Sequence, residues 1–257
     1  MPIDAVLRAS TLYAFVLVLS RVSGIFIFLP LPAFSAGPAA ARVVLSLVTT
    51  FALFPRWPAI QNAPVNIGEM VGWMLAELGV GLSIGVAVSI VMEVFSTAAQ
   101  FISVQAGFSY AMTVDPNTNA DSAVLVVMAQ LVAAVLFFAS GGDRTVITIL
   151  ARSLDSAPPG TFVLTRPHVE MLVMFAGTIF STSLRLILPI MTMLLLVDLS
   201  LGMIGRLNSQ LHLLSLAMPL KMLAALGLLS GSVLMFPRIF GQLSKTAFAL
   251  IERALTS

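Results

Sequence analysis

Two histidines, eleven acidic residues and no cysteine are the raw material for chemistry in this chain of 257 residues. His168 stands beside a proline in a stretch read as a loop, and His212 falls in a polar turn. No His-Glu-x-x-His pattern presents a zinc site, and no Gly-rich run ending in Lys-Ser/Thr cradles a phosphate. Without cysteine there is no disulfide, thiol nucleophile or thiolate ligand, and the redox compartment leaves no trace. A metal site would have to be built mostly of carboxylates, and these are scattered along the chain. Intramembrane hydrolysis by paired aspartates needs two of them inside apolar runs, and only Asp198 lies in one. The residue types therefore predict no catalytic residue, no metal and no cofactor.

The titratable groups that call for explanation are those inside apolar stretches: Arg21, Glu77, Glu93, Arg185 and Asp198. An ionisable side chain there faces a bundle interior, a partner or a water path, because a carboxylate at mid-membrane depth costs about 2.5 to 3.5 kcal/mol on insertion scales. One reading pairs them, Arg with Glu or Asp, as packing elements. The other has them line a path. Glu93 and Gln100 are seven residues apart and share one helical face, a polar lane directed at something wet or at a neighbouring subunit.

The elements that must position these groups are membrane-like. Hydrophobic residues make up 59% of the chain and charged ones 9%, with a mean hydropathy of +1.05, far from the quarter of charged residues usual in soluble domains. A net charge of +2, thinly spread, gives no basic stripe for nucleic acid. The start, "MPIDAVLRAS", has no cleavage pattern ahead of a short apolar core, so the first hydrophobic run is expected to be retained.

Six apolar segments stand out, and several fit a bilayer badly. Leu12 to Leu29 approaches the length of a span but contains Arg21, and Arg42 to Phe54 is too short for one. Ile67 to Ala106 is helix-compatible for 40 residues without a proline, which gives a rod of roughly 60 Å against a hydrocarbon core of about 30 Å. It is expected to bend back on itself or to run outside the bilayer. It also carries Glu69, Glu77, Glu93, Gln100 and Gln105, so its faces look toward protein or water. Ala123 to Ser140 is a conventional run broken by "GGDR", and "DSAPPGTFVLTRPH" is predicted to be a loop in which Pro158, Pro159, Gly160 and Pro167 forbid helix. Val169 to Leu201 is long and includes Pro189. A last helix is predicted to start near Pro219 and to run past Pro237 into an amphipathic tail. Small residues spaced by four, Gly68, Gly72 and Ala76, then Gly81, Gly85 and Ser89, form two seams where backbones can approach closely. Their partner is either this chain or another subunit. The fold class is all-α, a single membrane-associated unit over residues 1–257.

"GLSIGVAVSIVMEVFSTAAQFISVQAGFSYAMTVDP" resembles the central region of the FliR family, flagellar export-gate proteins whose injectisome counterpart is SctT. The pattern is a Gly-x-x-x-Gly helix (Gly81, Gly85), a Gln-x-Gly-Phe-Ser turn (Gln105, Gly107, Phe108, Ser109) and Val114-Asp115-Pro116. A second match is "LPIMTMLLLVDLSLGMIGRLNSQL", where Leu188, Pro189, Leu201, Gly202, Arg206 and Gln210 stand at the family's spacing, followed by "AMPLK" with Pro219. Arg21, Pro30 and Arg42 form a weaker third. Where the family has a Pro-Gln-x-Asn turn, this chain reads Ser209-Gln210-Leu211-His212.

The resemblance implies a subunit of a type III export gate in the bacterial inner membrane, in the flagellar basal body. It implies assembly with FliP-like and FliQ-like subunits into a helical pore associated with an FlhB-like protein, and passage of unfolded protein substrates. It also implies helical hairpins, a FliP-like part over about 1–200 and a FliQ-like part over about 201–257. The loop at about 105–122 would then be a channel plug, with Gly107, Phe108, Ser109, Tyr110, Met112, Asp115 and Pro116 as its residues. Physical chemistry suits that role: hydrophobic constrictions stop ions by dewetting, Met112 adapts its shape, and Asp115-Pro116 favours a reversal. The plainer reading of the same stretch is a surface loop. A small secondary transporter using Arg21, Glu93, Arg185 and Asp198 is the alternative for the whole chain, although no internal repeat supports it.

Overall fold

A computed structural model describes residues 9–29, 39–57, 66–108, 124–160, 166–207 and 213–256. Regular structure within them is entirely helical: α1 (Ala9–Phe28), α2 (Ala39–Ala52), a 3-10 turn (Phe54–Arg56), α3 (Ile67–Gln105), α4 (Val124–Ala139), α5 (Gly142–Ser156), α6 (Arg166–Leu207), α7 (Leu213–Ser232), a second 3-10 turn (Val233–Met235) and α8 (Phe236–Thr256). Four stretches are long and apolar enough to cross a bilayer, Ser10–Phe28, Ile67–Gln105, Val173–Arg206 and Ala217–Arg253. The pair α4 and α5 makes a fifth if counted as one span, bent by 63° at the Gly141 break. The molecule is an all-α membrane protein.

Three expectations about these helices are corrected. Of the two courses open to the segment from Ile67, folding back is excluded: α3 is one continuous helix of 39 residues. No proline interrupts its hydrogen-bond ladder, and its glycines, costly alone, are held helical by packing. Pro167 does not exclude helix, for it lies in the first turn of α6, where its missing N–H would have had no partner anyway; His168 is helical with it. Pro219 does not begin the last apolar helix either. It sits inside α7, which starts at Leu213, and the helix ends in a 3-10 turn before α8 takes over at Phe236.

The chain divides into two compact units, one of Met1–Val91, Phe137–Ala176 and Leu243–Ser257, the other of Met92–Leu136 and Gly177–Gln242. In the first, α1 and the early part of α3 meet backbone to backbone. A Cβ placed on Gly24 would lie 2.6 Å from the Leu78 carbonyl oxygen, one on Gly85 2.7 Å from that of Ile25, and one on Gly81 would overlap that of Arg21. Leu17, Val18, Val22 and Ile25 of α1 and Val80 and Ile84 of α3 are buried there. Phe15 stacks obliquely on Phe51 and Trp57, whose indole N–H donates to the Thr50 carbonyl at 3.1 Å. In the second unit the core gathers Ala98, Ala99, Ile102 and Ala106 from the end of α3 with Leu125, Ile187, Ile190, Leu194 and Ala225.

Candidate functional site

The end of α3 is built as a stop. Gly107 takes φ +82°, a left-handed conformation that costs other residues about 1–2 kcal/mol. Its N–H donates to the Val104 carbonyl at 3.2 Å, and the Phe108 N–H reaches back to that of Ser103 at 3.0 Å. These two bonds are the Schellman pattern, which satisfies carbonyls that the helix itself leaves open. The glycine has a second reason to be there: a Cβ at 107 would stand 2.7 Å from the Met218 sulfur of α7. Phe108, the next residue, is half-buried against the apolar core of the second unit.

A polar trio borders that core. Lys221 of α7 pairs with Asp198 of α6, Nζ lying 2.9 Å from Oδ1 and 3.0 Å from Oδ2. The Gln105 amide donates to Oδ2 at 3.4 Å. Each member stands one turn from a core residue on its own helix, Gln105 from Ile102, Asp198 from Leu194 and Lys221 from Ala225. The trio thus ties the last turn of α3 to α6 and α7, at the root of the 105–122 segment.

In the first unit, Arg21 and Glu77 are fully buried and paired. Arg21 Nε donates to Glu77 Oε2 at 2.6 Å, Nη1 to the Ser153 carbonyl and hydroxyl at 2.7 and 3.1 Å, and Nη2 to the Ala157 carbonyl at 2.8 Å. The second Glu77 oxygen accepts from the Gly160 N–H at 2.9 Å. Gly160, at φ +88°, packs on the Trp73 ring, one turn from Glu77. The guanidinium therefore caps the C-terminal carbonyls of α5, where a cation is favoured. Among the described residues no buried side-chain nitrogen or oxygen lacks a partner.

The other residues singled out by sequence do not converge. Gly81 and Gly85 face α1, while Ser89 is half-buried and Gly72 meets open space. Glu93 and Arg185 are exposed, as are Arg206 and Pro219. Ser109, Tyr110, Met112, Asp115, Pro116, Gln210 and His212 lie outside the described residues. Within the described residues, no three carboxylates or imidazoles come together as a metal site would need. Lys221 escaped sequence reasoning, although a lysine in "LLSLAMPLKMLAALG" was signal enough to seek a carboxylate partner.

Residues 12–247 match the family described as bacterial export proteins, family 1. The chain belongs to this family. As a bacterial export protein it is similar to the flagellar biosynthetic protein FliR of Escherichia coli K12, 26% identical over 82% of this chain and 81% of the relative. It is also similar to FliR of Caulobacter vibrioides, 25% identical over 90% and 92%. The secretion system apparatus protein SsaT of Salmonella typhimurium is 25% identical over 76% and 78%. Membership favours an export component over a small-solute transporter.

Proposed function

We propose that the chain is a structural and gating subunit of a type III protein export apparatus, without catalysis of its own, in which the segment at about 105–122 is the channel plug. The observation that carries the plug is the stop at Gly107: a 39-residue helix is ended and fastened by Gly107, Phe108 and the Gln105, Asp198 and Lys221 trio just where the segment begins. A loop at membrane depth is tolerated only when enclosed by protein or lining a cavity. Phe108, Tyr110 and Met112 would form the seal, with Gly107, Asp115 and Pro116 shaping the loop that carries them and Ser109 within it. The names of the relatives support the apparatus, and the flagellar ones support the inner membrane at the flagellar basal body. FliP-like and FliQ-like subunits and an FlhB-like protein are the proposed partners. Residues 1–200 and 201–257 are the parts proposed to resemble the first two.

Removing residues 107–119 tests the plug. The shortened chain is expected to co-purify with its partners and to let small ions leak across the membrane. An assembled complex as tight as the unaltered one would refute the plug.

A further inference from the structure

From Met92 onward α3 is covered on nearly every side: Val94, Phe95, Ala98, Ala99 and Ile102 are buried, and Ser96 and Ser103 with them. Of the rest, Phe101 and Gln105 are half-exposed but engaged, packing on the core and reaching Asp198, which leaves one stripe, Glu93, Gln100 and Val104 exposed and Thr97 half-exposed. These positions are spaced four, three and four apart, as one face of a helix requires. The stripe is polar until its last residue. Among the described residues neither the Glu93 carboxylate nor the Gln100 side-chain amide has a hydrogen-bond or ion-pair partner. The uncovered side chains of α4, next in the same unit, are of the other kind: Val127, Met128, Leu131 and Val135, with Gln130 the exception. Lipid accepts the second surface and rejects an unpaired carboxylate.

We infer that the Glu93, Thr97 and Gln100 stripe lines the aqueous lumen of the export channel and touches the exported chain, leading up to the plug. The inference rests on the proposed channel function. Polar side chains that offer hydrogen bonds without a binding pocket suit the passage of unfolded polypeptides of any sequence, and a ring or row of carboxylates makes a pore prefer cations. The helical rise sets Glu93 about 21 Å before Gly107 along α3, so the stripe runs along the approach to the plug. A neighbouring subunit offering a basic side chain to Glu93 would be the dry alternative.

The absence of cysteine from the chain makes the test clean. Thr97→Cys and Gln100→Cys are introduced singly with the 107–119 deletion, and the assembled complex is treated in sealed vesicles with a charged, membrane-impermeant thiol reagent. Both are expected to react at least about tenfold faster than Leu131→Cys, because the reactive thiolate forms only where water reaches. Reaction as slow as the Leu131→Cys control would overturn the inference. Should the cysteine variants fail to assemble, ion preference decides: the plug-deleted channel is expected to favour cations, and Glu93→Gln to remove that preference. An unchanged preference counts against the stripe. Labelling without a leak would leave the stripe standing and remove the plug, and a leak without labelling would do the reverse.

Discussion

Arg21 spends its hydrogen-bonding capacity on groups from distant parts of the chain, Glu77, Ser153 and Ala157. Removing one partner of a buried pair leaves the other charged and dry, which costs about 3–5 kcal/mol, whereas replacing both by apolar residues is often close to neutral. Arg21→Met is therefore expected to lower the yield and the melting temperature of the purified complex sharply, and Arg21→Met with Glu77→Leu to recover most of the loss. A double variant as unstable as the single one would show that the Ser153 and Ala157 carbonyls, not Glu77, dominate. Sequence made the two charges conspicuous, since each interrupts an apolar run. It hid their partnership, because 56 residues separate Arg21 from Glu77 and 132 separate it from Ser153. No local pattern encodes separations of that size.

Among the elements, α3 shows what spacing conveys and what it leaves out. Gly72 and Gly81 belong to the same kind of four-residue repeat, yet Gly72 has nothing within 4 Å of a built Cβ and Gly81 has the Arg21 carbonyl in its way. Gly81→Val is expected to force α1 and α3 apart and to abolish assembly. Gly72→Val should change stability by no more than about 0.5 kcal/mol, as for most exposed substitutions. Thermal denaturation of the two variants side by side would check this, and equal losses would mean that Gly72 contacts another subunit. The same helix decides between two expectations: its length alone allowed a fold-back or a run beyond the bilayer, and the fold-back fails because length carries no instruction to turn and no residue between Ile67 and Gln105 breaks a helix. Its end was legible, because a glycine followed by an aromatic residue after an apolar run is a helix stop with a physical cause. Pro167 misled for the converse reason: a proline is a breaker only where a preceding carbonyl depends on its N–H, and in a first turn none does. Pro219 lies deeper, inside α7, where it removes one bond of the ladder without ending the helix.

On the scale of the whole molecule, large apolar side chains cover much of the surface. Met174, Val104, Leu223 and Leu234 are 75%, 69%, 67% and 88% exposed. A single chain with such a surface belongs in lipid and among partners. Produced without its partners and moved out of detergent, it is expected to aggregate, which size-exclusion chromatography would detect; a stable soluble monomer would contradict the membrane assignment. Composition made that assignment readable at once, while the division into two units, each assembled from separated stretches of sequence, left no mark on it. The Arg21 contacts also bear on how the protein is made. Ala157, one of the acceptors, is translated 136 residues after Arg21. At about 5–20 residues per second the interval is on the order of ten seconds. Until Glu77 follows, 56 residues after Arg21, α1 carries a guanidinium with no counter-charge, and until Ser153 and Ala157 follow its remaining N–H groups lack their acceptors, so the first helix cannot simply be released into lipid when it emerges. Its insertion has to wait for α3 and α5, held meanwhile where water or the insertion machinery can shield the charge.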